Sequence, residues 1–194
     1  MSNIIQVLLE EHRNIDRLLL VMEHELEVFD RSEVPDYEIL RAIIQYFQDY
    51  PEDCHHPKED LVFEKLKMRD PAAADRVGDV EAEHEVEALR LHRLVEAIEA
   101  ILAGRELLRQ TFHEVVHDFI KHQRQHMDKE ERLLFPAALQ RLRPEDWASI
   151  DSRVNDRKDL LFNGAIETKF QALQRTILRW EREAESSRVK TARA

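Results

Sequence analysis

From Ile5 to Leu26 the apolar positions keep to one helix face: Ile5, Leu8, Leu9, Ile15, Leu18, Leu19, Met22 and Leu26 fall at helical spacing. A cap at Ser2 or Asn3 and an end near Asp30 frame this first helix. RSEVPD then reads as a turn. Asp36 caps a second helix, which carries Ile39, Leu40, Ile43, Ile44 and Phe47 and continues to about Arg69. Pro57 lies inside it, where the missing N–H and the ring predict a kink. Asp70-Pro71, a cap followed by a first-turn proline, opens a third helix. Val86, Leu89, Val95, Ile98 and Leu102 are its expected apolar face, and Gly104 is its stop. A fourth runs from about Arg105 through Phe112, Val116, Phe119, Ile120, Leu133 and Leu134, with Pro136 bending its end.

Four helices with short connections predict an all-α fold, an antiparallel up-down four-helix bundle over residues 1–142 with additional C-terminal helices. Residues 143–185 form the extension: a short helix around Glu145 to Val154, then a longer one from about Lys158 to Glu185. Leu160, Leu161, Phe162, Ile166, Phe170, Leu173, Ile177 and Trp180 need burial there, against the bundle or in an oligomer contact, and packing on the bundle is the expectation. Residues 186–194 read as a disordered tail.

Composition supports helix. Only 3 glycines and 6 prolines occur in 194 residues, fewer turn residues than a β-rich chain of this length uses. The net charge of −11 repels a phosphate backbone, so nucleic acid is not an expected partner. No apolar run approaches the roughly 20 residues of a membrane span, and the first residues are too acidic for a signal peptide. One cysteine, Cys54, leaves no intramolecular disulfide framework and fits a reducing, cytoplasmic compartment.

The 10 histidines change the picture. His55 with Glu59, and His126 with Glu130, stand four apart and share a helix face. The two segments, HHPKEDLVF and HMDKEERLLF, repeat one pattern, and each follows a Glu-His pair, Glu11-His12 or Glu83-His84, by about 42–43 residues, which suggests two hairpins related by a pseudo-two-fold. In an up-down bundle His12, Glu59, His84 and Glu130 fall in one layer, roughly 14–20 Å from a common end, with His55 and His126 one turn higher. Four imidazoles and two carboxylates in an apolar interior need cations, and two would satisfy the set. Mixed nitrogen and oxygen donors suit iron or manganese, and the lack of thiolates argues against structural zinc or an iron–sulfur cluster. Six donors leave both ions unsaturated, so solvent, an oxo bridge or a small exogenous ligand completes them.

These motifs (EEH at Glu10 to His12, HHPKED at His55 to Asp60, EHE at Glu83 to Glu85, HMDKEERLLFP at His126 to Pro136) resemble the bacterial HHE cation-binding branch of the hemerythrin family over roughly residues 3–142. The resemblance implies two non-haem iron ions, with manganese or zinc as substitutes. His12, His55, His84 and His126 would be terminal ligands, and Glu59 and Glu130 bridging carboxylates. It implies reversible O2 binding, NO or peroxide chemistry, or sensing of iron and oxygen. The oxygen-carrying members have a second histidine four residues from the first on the third helix; here Val80 and Ala88 flank His84. They also have His-x-x-x-x-Asp on the fourth, where this chain has His126 and Glu130. His56, His122, Glu85 or water is left to fill the missing position.

Three functions stand open: a di-iron protein that binds or senses O2, NO or iron; an enzyme that decomposes peroxide or reduces NO; and a helical interaction protein with a structural metal. The C-terminal helices are the candidate surface for a homodimer or protein partner. His24, His113 and His117 read as surface residues, and His92 as a core or rim residue. Asp60 and Glu131 read as solvated or as outer neighbours of the ligands, and Cys54 as a buried inert thiol.

Overall fold

A computed structural model describes residues 3–160, 175–180, 182–183 and 186. The described residues are helical wherever they have regular structure. α1 spans Asn3–Asp30. The second rod is α2 (Tyr37–Tyr50), a π-helical turn (Pro51–His55) and α3 (His56–Arg69). After α4 (Pro71–Val77) and α5 (Val80–Leu102) comes α6 (Arg109–Lys129), extended by a second π turn (Glu130–Leu134) into α7 (Phe135–Arg141). α8 spans Pro144–Leu160. α1 packs on α2 and α6, and α5 packs on the same two, so the four long rods close a bundle.

Both π turns end two residues before a proline. A proline clashes with the carbonyl four residues back and offers no N–H to it. The chain answers with a wider turn, in which the His56 N–H donates to the Pro51 carbonyl and the Phe135 N–H to that of Glu130. The interruptions expected at Pro57 and Pro136 are thus π turns, a form that recurs at functional sites. One ends on His55, directly before His56, and the other begins at Glu130.

Four sequence expectations need correction. The third helix is two, broken at Gly78, whose φ of +90° is open to glycine and strained for other residues; Asp79 then caps α5 through the Ala82 N–H. The fourth begins at Arg109, since Gly104 turns left-handed and the next residues form an exposed connection. Val86, Leu89, Leu102 and Leu133 are exposed; α5 buries Val80, His84, Glu87, Leu94 and Ile98 instead. Two glutamate and histidine positions lie on that inward stripe, so hydrophobicity alone points to the wrong face. Finally, α8 runs unbroken to Leu160, past the stop expected near Val154.

The apolar core comes in two clusters. One contains Ile15, Leu18, Met22, Ile43, Phe47, Leu94, Ile98, Phe112, Phe119 and Ile177. The other contains Ile5, Leu8, Leu61, Val62, Leu66, Leu134, Phe135 and Ile150. On each rod the two clusters are separated along the chain by polar residues: Glu11 and His12, His55 to Glu59, His84 and Glu87, and His126 to Glu130. Of the C-terminal residues expected to be buried, Ile177 is fully so and Trp180 is partly exposed. The side chain of Leu160, together with Leu161, Phe162, Ile166, Phe170 and Leu173, lies outside the described residues, as does the tail beyond Ser186.

Candidate metal centre

The structure brings together the six side chains named from spacing, and it orients them. His12 Nε2 lies 3.2 Å from Glu59 and 3.4 Å from Glu130. His55 Nε2 is 2.9 Å from Glu59. His84 Nε2 is 3.5 Å from the other oxygen of Glu59, and His126 Nε2 is 3.5 Å from Glu130. Donor atoms of Glu59, His84, His126 and Glu130 lie within 4.8 Å of one another, as do those of His12, His55 and Glu59. Glu59 belongs to both groups, which is the placement a bridging carboxylate requires.

Each imidazole turns its other nitrogen to a second carboxylate. His55 Nδ1 meets Glu11 at 2.9 Å and His126 Nδ1 meets Glu83 at 3.1 Å. His12 Nδ1 meets Glu131 at 3.0 Å, and His84 Nδ1 is 3.5 Å from Asp60. Glu11 and Glu83 are held in turn by Lys58 and Lys129. Backing of this kind fixes the tautomer, leaves Nε2 as the inward donor and raises its basicity. The expected two-fold therefore extends beyond the six residues: Glu11, Lys58 and Asp60 in one half match Glu83, Lys129 and Glu131 in the other.

The electrostatics follow from crowding. Burial by itself would lower His12, but the carboxylates of Glu130 and Glu59 outweigh it and push the group up to about 11. Against the same opposition from burial, His84 is pushed up to about 10 by Asp60 and Glu59, and His126 to about 9 by Glu130 and Glu83. His55 is likewise raised, through Glu59 and Glu11. Burial disfavours the Glu59 charge, yet His55, His12 and His84 hold it well below the usual carboxylate range. Glu130 is pushed up, first by burial and then by the negative charge of Glu59.

Glu59 Oε2, both oxygens of Glu130, and Nε2 of His84 and His126 are buried without a hydrogen-bond partner. Each such atom costs about 1–3 kcal/mol unless something else satisfies it. Neutral imidazoles and ionised carboxylates around two cations remove every one of these deficits. The donor set therefore fits a pair of metal ions.

The sequence model of the hemerythrin HHE cation binding domain matches residues 3–138. The chain belongs to the hemerythrin HHE family. No curated protein and no solved structure gives a significant match. Family membership and the two donor clusters agree on a metal-binding role for this HHE domain.

For the position left open in the HHE pattern, the structure narrows the choice. Glu85 is exposed on α5 and points away from the cluster, because it follows His84 by a single residue, about 100° around the helix. His122 is half-buried one turn before His126, and its Nε2 is buried without a hydrogen-bond partner. His56 is buried, its ring stacked on that of His84 with centroids 3.8 Å apart. Its Nε2 lies 3.3 Å from Glu87, a buried carboxylate that sequence reasoning did not single out. A signal existed: Val80, His84, Glu87, Leu94 and Ile98 keep one heptad-like stripe. No helix among the described residues is long and apolar enough to cross a membrane.

Proposed function

We propose that this HHE domain holds two iron ions through His12, His55, Glu59, His84, His126 and Glu130, and uses them to bind and handle a small ligand such as O2, NO or peroxide. The observation that carries this reading is the orientation of four imidazoles, each with Nε2 turned toward Glu59 or Glu130 and Nδ1 toward an outer carboxylate. When bound, iron supplies Lewis acidity and a change of oxidation state.

The chain's own residues do the rest. Glu59 and Glu130 would be shared between the two ions, and His12, His55, His84 and His126 would each offer Nε2 to one of them. Glu11, Glu83, Asp60 and Glu131 keep the proton on Nδ1. The apolar clusters above and below exclude bulk water from the layer. A cavity of about 280 Å³, lined by Phe47, Pro51, Leu91, Val95 and Phe119, reaches His56 and Glu87. Gln48, His92 and Gln123 complete its wall, and its size suits a small ligand.

Iron content per chain, measured with the ultraviolet–visible spectrum of reduced protein before and after O2, NO or hydrogen peroxide, tests the reading. Two irons with oxo-bridge charge-transfer bands and a spectral response to one of these ligands are expected. One zinc per chain, or no metal and no response, would overturn it and leave the helical interaction protein. Reversal on removing the gas indicates carriage or sensing, whereas consumption of peroxide or NO indicates an enzyme.

A further inference from the structure

The two halves of the bundle superimpose in sequence with an offset of 72 residues between α1 and α5, and of 71 between the second and fourth rods. Under that correspondence Glu11 matches Glu83, His12 matches His84, His55 matches His126, Lys58 matches Lys129, and Glu59 matches Glu130. The layer departs from this symmetry at one pair of positions. His56 corresponds to Met127, and Glu87 corresponds to Ile15. All four are buried. One half therefore faces the centre with an imidazole and a carboxylate where the other half presents a thioether and a hydrocarbon.

Glu87 is 4% exposed, and the matching position in the other half, Ile15, is a hydrocarbon. Glu87 Oε2 faces His56 Nε2 at 3.3 Å. Glu87 Oε1 is buried without a hydrogen-bond partner, 3.8 Å from His126 Nε2. That nitrogen is the atom His126 offers to a metal. A buried carboxylate oxygen beside the donor atom of a ligand, with its other oxygen held by a histidine, is aimed at the same ion.

We propose that Glu87 is a further metal ligand through Oε1, serving only the ion held by His84 and His126, and that His56 positions it. This inference rests on the two-metal reading above. The two ions are then chemically unequal. The one beside Glu87 has an extra anionic oxygen donor. The one held by His12 and His55 has Ile15 and Met127 in the matching positions and gains no such donor. A carboxylate donor carries a negative charge that a neutral imidazole lacks, which favours the higher oxidation state of its ion.

Mössbauer spectroscopy of protein loaded with 57Fe separates the two ions without any assay of activity. Wild-type protein is expected to show two quadrupole doublets of equal area. Glu87→Gln, which keeps the side-chain shape, is expected to move one doublet and leave the other in place. The double substitution H56M/E87I, which copies the opposite half of the bundle, is expected to keep two irons and merge the doublets into one. A single doublet in wild type, or an E87Q spectrum in which both doublets or neither move, would overturn the assignment while leaving the di-iron reading intact. Fewer than two irons in wild type would overturn the two-metal reading and this inference with it.

Discussion

At the scale of single residues, the site works by what it denies each side chain. Glu59 and Glu130 have no escape to solvent and are too close together to carry two charges without cations between them. Replacing either with alanine is expected to reduce metal content from two ions per chain to at most one, read by elemental analysis of purified protein. The outer carboxylates act through the histidines. Glu11→Gln and Glu83→Gln are each expected to weaken metal binding about 10–100-fold in a competition titration against a chelator. Raised imidazoles also set a pH dependence. In the metal-free protein, a histidine with a raised folded value contributes stability that is complete below its unfolded value of about 6.5. That contribution is lost as pH rises, first through about 9 at His126 and then about 10 at His84. The metal-free protein is thus expected to lose thermal stability between about pH 7 and 10. Metal binding must expel those protons, so affinity is expected to rise over the same interval. Melting curves and metal titrations at three pH values check the two opposite trends.

Among the helices and turns, the decisive features are where rods break. Asp36, Asp70 and Asp79 each accept from a backbone N–H of the first turn they precede; the caps at Asp36 and Asp70 were legible as Asp before a helical pattern, whereas Asp79 was hidden behind the expectation of one continuous helix. Asp36→Ala is expected to cost about 1 kcal/mol, measured by chemical denaturation. Gly78 combines a strained backbone with a crowded neighbour. A Cβ there would sit 3.1 Å from Lys129 Nζ, the group that holds Glu83 behind His126. Gly78→Ala is expected to destabilise the protein by about 1–3 kcal/mol. It is also expected to weaken metal binding at the His84–His126 ion more than any comparable loop substitution. The π turns were half legible: Pro57 and Pro136 announced an interruption, but a sequence does not say whether the chain kinks or widens, because the choice depends on what packs outside the turn.

Across the whole molecule, two apolar clusters are held apart by a layer that is favourable only when its charges are matched. Anything that binds this folded layer and not the unfolded chain stabilises the fold by mass action, about 2.7 kcal/mol at a hundredfold excess over Kd. Stripping the metal with a chelator is therefore expected to lower the melting temperature by several degrees, and adding iron back is expected to restore it. A melting temperature indifferent to the metal would mean that protons satisfy the layer as well as cations do. Burial of Ile150 in one cluster and Ile177 in the other ties residues beyond Arg143 to both halves of the bundle, so truncation after Leu142 is expected to destabilise the fold as well as trim it.

The sequence by itself determined the helices, the repeat and the six inward donors. Helical periodicity, capping and the i, i+4 spacing of His55–Glu59 and His126–Glu130 are local, and the repeated motif carries the second half from the first. Which face of α5 turns inward was decided by its neighbours. Val86 and Leu89 are as apolar as the true core residues, and only packing against α2 and α6 settles that Glu87 is buried in their stead. The outer carboxylates were visible as letters beside the histidines. Their pairing across helices, Glu131 to His12 and Glu11 to His55, joins residues more than 40 positions apart, and no local pattern encodes such a distance. The asymmetry of His56 and Glu87 against Met127 and Ile15 belongs to both levels. Its letters lie in the chain, and its meaning depends on four rods placing them around one centre.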